Sequence, residues 1–146
     1  TFSHPNCCCF PVLEAQGKLE EAFKMSYSVL IELGETLPDL ISDVAPNSLT
    51  DITTSLAGES LMKLTPMATQ EILDMKVNED KKISAIIKLY NSMSINAFIV
   101  KSKEVAAFTI CKNVKKCLDN GICENSPIAF VRYCSVIVST HPHIAW

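Results

Sequence analysis

Seven cysteines sit at the two ends of this chain: Cys7, Cys8 and Cys9 in one run, then Cys111, Cys117, Cys123 and Cys134, with none between. Adjacent cysteines close on each other only through a strained ring, so the triplet is expected to reach three of the four distant thiols. Disulfides would then tie the N-terminal segment to the C-terminal helices. One such bridge encloses roughly 100 residues, worth about 4–5 kcal/mol in the chain-entropy account, and the next two close nearly the same loop and add less. Which pairs form stays open at this level. Such bridges persist in oxidising compartments, and a first residue of Thr rather than Met fits a mature chain freed of a leader, so a secreted, extracellular protein is expected. One thiol is left over, either buried and inert or free to link a second copy as a disulfide-bonded homodimer.

The cysteines do not read as a metal site. Structural zinc uses pairs about two to four residues apart, closer than any pair among Cys111, Cys117, Cys123 and Cys134. Nor does the spacing match insect odorant-binding proteins, with two cysteines three residues apart, or secreted phospholipases, with a Cys-Cys pair shortly before a histidine. The segment Lys88-Leu89-Tyr90-Asn91-Ser92 resembles the end of the last helix in secretoglobins, helical ligand carriers that dimerise through cysteines. The likeness covers under a tenth of the chain, and the cysteine that family places soon afterwards is missing.

A length of 146 residues predicts a single helical domain over 1–146, with a cysteine-rich segment at 1–10 and an irregular tail at 140–146. No run of 18 uninterrupted apolar residues occurs, so no membrane-spanning segment is expected. The net charge of −3 is unevenly placed: residues 1–73 carry three Lys against ten acids, and residues 74–146 carry ten basic residues against six acids. Acidic and basic helices lying side by side would account for this. A sharper expectation takes Lys101, Lys103, Lys112, Lys115 and Lys116 as a basic strip that meets anionic headgroups or an acidic partner. A single arginine and the lack of aromatics among these lysines argue against nucleic acid.

Helical periodicity dominates. Pro11 opens a stripe of Val12, Ala15, Leu19, Ala22, Phe23, Leu30 and Leu33 that predicts a helix over 11–33, stopped by Gly34, with Glu14–Lys18 and Glu20–Lys24 as i,i+4 pairs. A short helix is expected from Thr36 to about Ala45 and another after Ser48, whose Asp51 resembles the third residue of a capping box. This stretch, rich in Ser and Thr and broken by Pro38, Pro46 and Gly58, should be the most mobile. Thr65-Pro66 predicts a further short helix, and Asn78 caps a longer one carrying Ile83, Ile86, Ile87 and Tyr90. Its stripe drifts over Asn91 to Asn96, predicting a kink or break with a new cap at Ser94. Asn120-Gly121 ends the next helix, and Ser126-Pro127 begins the last, to about Val138. With no strand-like alternation, the fold expected is all-α, a compact bundle of about five to seven helices.

No nucleophile elbow, zinc-protease helix, phosphate loop or dinucleotide fingerprint occurs, and His4, His141 and His143 lie in terminal segments rather than on rigid elements. Glu14, Glu20 and Glu21 read as the solvated face of a helix rather than paired catalytic carboxylates. A non-enzyme without catalytic residue, metal or cofactor is expected. The 48% apolar content and five scattered methionines instead suggest a helical shell that binds apolar or amphiphilic molecules or acts at interfaces, as a lipid or pheromone carrier or a surfactant-like protein does. The alternative is an extracellular helical signalling or effector protein acting through a protein receptor.

Overall fold

Amphipathic stripes form the longer helices here because each buries one face against another helix. The computed structural model describes residues 9–140, which form α1 (Phe10–Ala15), α2 (Leu19–Glu32), α3 (Leu49–Leu64), α4 (Thr69–Leu73), α5 (Lys81–Val100), α6 (Lys103–Asn120) and α7 (Ser126–Thr140). No strand occurs among these residues, so the fold is all-α. One isolated parallel bridge joins Val77 to Ile122.

Helix α5 is the axis of the bundle, packing against α6, α2 and α7. One core cluster gathers Phe23, Leu30, Leu40, Leu49, Tyr90, Met93 and Phe108, and a second gathers Ala57, Ile87, Cys111, Val114, Cys117, Tyr133 and Ile137. By length and composition α5 would also cross a bilayer, with a mean hydropathy of 1.3. Half of that apolar window is buried within the fold, as expected of a core helix.

Several boundaries differ from the sequence expectation, each for a local reason. The first predicted helix is two, because Gly17 takes a φ of 72° between α1 and α2. Glu20 and Lys24 pair at 2.8 Å, whereas Glu14 turns to α5 instead of to Lys18. No helix forms at 36–45: Asp39 accepts the amides of Ile41 and Ser42 in a turn that competes with helical bonding. Thr65 closes α3 by donating its hydroxyl to Leu61 O, so it ends one helix rather than starting the next. The start of α5 is capped by Asp80, whose carboxylate accepts the Lys82 amide.

The predicted break at Ser94 is absent, and α5 runs on to Val100, with Ser102 capping α6. The polar residues that suggested a break instead face other elements. Asn96 donates to Glu14 of α1 at 2.8 Å, Ser92 also donates to that carboxylate, and Asn91 accepts from Asn113 of α6 at 2.9 Å.

The expected disulfide staple is not supported among the described residues. Cys9, Cys111, Cys117, Cys123 and Cys134 are all free thiols, so no bridge joins the two ends among the described residues. The reason is one of direction: Cys111 and Cys117 point into the core between α6 and α7, whereas Cys9 is exposed at the start of α1. Cys7, Cys8 and the expected irregular tail beyond Thr140 lie outside the described residues.

Candidate functional site

The C-terminal half of α5 places Ile95, Phe98 and Ile99 on a face that no other described element covers. Phe98 and Ile99 are each 60% exposed, unusual for large side chains at the end of a core helix. Across from them α6 contributes Ala106 and Ile110, and α7 contributes Arg132. Together with Ser94 they line an open cavity of about 260 Å³. A second cavity of about 250 Å³ shares Phe98, Ala106, Ile110 and Arg132 and extends past Lys103, Ala107 and Val136 towards Ser139. The small residues Ala106 and Ala107 leave the space between the three helices that makes the groove.

Arg132 is the polar feature of this surface. Its Nη1 donates to the Asn91 carbonyl at 2.5 Å and to Ser94 Oγ at 2.8 Å, which fixes the guanidinium against α5. Burial draws its pKa below the usual arginine value, while the group remains charged across any ordinary pH. No carboxylate pairs with it among the described residues, and none lines either cavity. Glu104, held as an anion by its own backbone amide and Ser102, lines an adjoining cavity together with Lys103, Ala107 and Ser139.

The five lysines of the expected basic strip fall in different surroundings. Lys101 donates to Ile41 O at 2.8 Å and lies 5.9 Å from the Phe23 ring centre. Lys115 bridges Glu59 and Asp119, and Lys116 lies 2.5 Å from Glu35. Lys112 is half-buried near the Glu35 charge, and burial lowers its pKa. Lys103 alone reaches the groove. Acids of the first half thus meet lysines of the second at Glu59–Lys115 and Glu35–Lys116, the arrangement expected of oppositely charged helices packed together.

The thiols also differ from one another. Burial pushes Cys111 up to about 12 and Cys117 up to about 11, which keeps both protonated and unreactive. Cys117 lies 3.3 Å from Ser126 Oγ, and the same hydroxyl donates to Cys123 Sγ at 3.7 Å. No cluster of three or more potential ligands stands ready for a metal among the described residues, and His4, His141 and His143 lie outside them.

Sequence reasoning placed Arg132 only as a sign against nucleic acid and did not single out Ile95, Phe98 or Ile99. A signal was present: apolar residues continue around α5 beyond the width of one core-facing stripe, from Ile95 to Val100. No family model matches the chain, and no curated protein or solved structure does. The short likeness to secretoglobins therefore gains no support from them, and the groove has to be interpreted on its own chemistry.

Proposed function

We propose that the protein is a secreted, non-enzymatic binder of apolar or amphiphilic molecules, taken up in the groove between α5, α6 and α7. The observation that carries this reading is the uncovered set of Ile95, Phe98 and Ile99 around a cavity of about 260 Å³, near the lower size limit for small-molecule sites. Each methylene moved from water into such a groove contributes about 0.8 kcal/mol, so a single alkyl chain is enough for measurable affinity. A carrier of this design performs no bond chemistry. It lowers the free concentration of a poorly soluble molecule and releases it at a surface. Displacement of a neutral apolar dye by medium-chain alcohols and acids tests the reading, with surface tension followed in parallel. Indistinguishable behaviour from a control globular protein in both assays would overturn it.

A second reading, a signalling or effector protein acting through a receptor, is favoured by the outer side of α7. There Ile128, Val131 and Val138 are exposed, with Cys134 exposed beside them. Saturable binding to receptor-bearing cells, without dye displacement by amphiphiles, would favour that reading instead. Exposed Cys9 and Cys134 are also the described thiols through which a disulfide-linked homodimer would form. Loss of a non-reducing dimer band in Cys134→Ser would assign that link to α7.

A further inference from the structure

We infer that the groove is selective for anionic single-chain amphiphiles and that Arg132 receives the carboxylate headgroup. This deepens the reading of the groove as an amphiphile site and rests on it. The inference comes from the way the guanidinium is already used. An arginine presents five N–H donors in a planar fork. In Arg132 the Nη1 donors are engaged by the Asn91 carbonyl and Ser94 Oγ. The remaining edge, Nε–H with Nη2–H, has no partner among the described residues and belongs to a side chain that lines both cavities. That edge carries two nearly parallel N–H bonds, the geometry that matches two oxygens of a carboxylate.

The charge balance points the same way. A half-buried cation without a counter-ion is costly to hold, and folding normally supplies a carboxylate beside it. Here the described residues lining the two cavities include Arg132 and Lys103 and no acid. The remaining polar groups, Ser94, Ser135 and Ser139, are neutral hydroxyls. An entering anion would therefore meet two positive groups within the groove, with Glu104 outside its lining in the adjoining cavity beside Lys103. Its alkyl chain would lie against Ile95, Phe98, Ile99 and Ile110. A cationic amphiphile would be disfavoured by the same groups, and a neutral one would gain the apolar contacts only. The ligand class is thus a free long-chain carboxylate rather than a neutral lipid or a sterol.

The test compares dodecanoate, 1-dodecanol and acetate on the full chain at neutral pH, by displacement of a neutral apolar dye and below the micellar limit. Charge-assisted hydrogen bonds to a half-desolvated guanidinium are worth roughly tenfold or more in affinity. Dodecanoate is therefore expected to bind at least about tenfold more tightly than dodecanol, while acetate, without a chain, does not displace the dye. In Arg132→Gln the preference for dodecanoate should vanish and dodecanol should bind as before, whereas Arg132→Lys should retain part of it. Equal binding of dodecanoate and dodecanol to the native protein would overturn the headgroup assignment and leave the groove reading standing; that comparison needs no variant. Displacement by neither would overturn both. An equal loss of both ligands in Arg132→Gln would make Arg132 a wall of the groove rather than a headgroup site. Binding to anionic vesicles without any to free dodecanoate would mean that the positive charge meets a lipid surface, which also overturns the inference.

Discussion

The Tyr90 phenol donates a 2.7 Å hydrogen bond to Glu35 Oε2 inside the bundle, joining the segment after α2 to the middle of α5. Lys116 of α6 lies 2.5 Å from the other oxygen of the same carboxylate, so one acid links α5 and α6 to the end of α2. Gly34, at a φ of 92°, turns the chain so that Glu35 can face inward. Removing one member of such a group leaves the others desolvated and uncompensated. Glu35→Ala should cost about 3–5 kcal/mol and Tyr90→Phe about 1.5–3 kcal/mol in urea unfolding. Two variants within roughly half a kcal/mol of the native protein would show that the contact is not maintained in solution.

The same phenol makes the fold sensitive to alkali. Burial, reinforced by the Glu35 charge, raises the Tyr90 pKa, and burial raises those of Tyr27 and Tyr133. An unfolded tyrosine loses its proton near pH 10, whereas the folded one keeps it, so the native state binds more protons above that pH. Stability is therefore full below about pH 10 for these groups and falls above it, by up to about 1.4 kcal/mol per pH unit for each of Tyr90 and Tyr133 and by less for the part-buried Tyr27. Cys111 and Cys117 act in the same direction from about pH 8.5, where unfolded thiols ionise. Unfolding free energies measured between pH 7 and 11 should decline accordingly, and Tyr90→Phe should show a shallower alkaline slope. An unchanged slope in that variant would remove Tyr90 from the account.

Periodicity along the chain carried the helical class, the paired Glu20 and Lys24, and the stops at Gly34 and Asn120-Gly121, because each depends on residues close in sequence. It failed where a residue's role depends on a distant partner. Asn91, Ser92, Ser94 and Asn96 interrupt an apolar stripe in the same way whether they face water or another helix. Only the packing shows Glu14, Asn113 and Arg132 opposite them. The described cysteines give the staple no support for a related reason. Clustering at the two chain ends suggested a staple, yet a cysteine is also one of the most buried side chains, and Cys111 and Cys117 occupy helix positions that face the core. The groove is only faintly legible: the apolar run from Ile95 to Val100 is wider than one core-facing stripe, but Ile95, Phe98 and Ile99 look like core residues until the neighbouring helices are seen to leave them uncovered.

Thiol labelling separates these placements. Cys9 and Cys134 are exposed, Cys123 is partly covered, and Cys111 and Cys117 are fully buried with raised pKa values. With iodoacetamide on the reduced native protein, peptides carrying Cys9 and Cys134 should be modified first. Cys111 and Cys117 should remain unmodified until denaturant is added, because only an accessible thiolate reacts. Rapid native labelling of Cys111 would contradict its place between α6 and α7.

Two glycines with positive φ should respond differently to the same substitution. A Cβ added at Gly121 would lie 2.4 Å from the Lys76 carbonyl oxygen, whereas at Gly34 it would meet nothing within 4 Å. The close approach at Gly121 is the one that lets Ile122 donate to Lys76 O at 2.9 Å and accept from Asn78 at 2.8 Å, fastening the α6–α7 turn to the strand-like segment before α5. Gly34→Ala should therefore lose about 1–2 kcal/mol from backbone strain alone. Gly121→Ala should lose clearly more, since the backbone at Lys76 must also shift. Equal losses would mean that the bridge already yields at little cost.

Phe98 and Phe108 provide a direct contrast between binding and stability. Phe108 is 2% exposed and belongs to the core cluster, whereas Phe98 is 60% exposed at the rim shared by both cavities. Truncating a buried phenylalanine removes its transfer energy and opens a void, so Phe108→Ala should cost about 3–5 kcal/mol in thermal or urea unfolding. Phe98 has little burial to lose, and Phe98→Ala should stay within about 1 kcal/mol of the native protein. Binding should show the reverse pattern: Phe98→Ala, still folded, should weaken dodecanol and dodecanoate alike, because in the proposed site the ring would contact the alkyl chain and not the headgroup. A Phe98→Ala protein that is stable and binds both ligands at native strength would move the apolar site away from the α5–α6–α7 groove. A protein that unfolds would show that the ring is a packing element rather than an open wall.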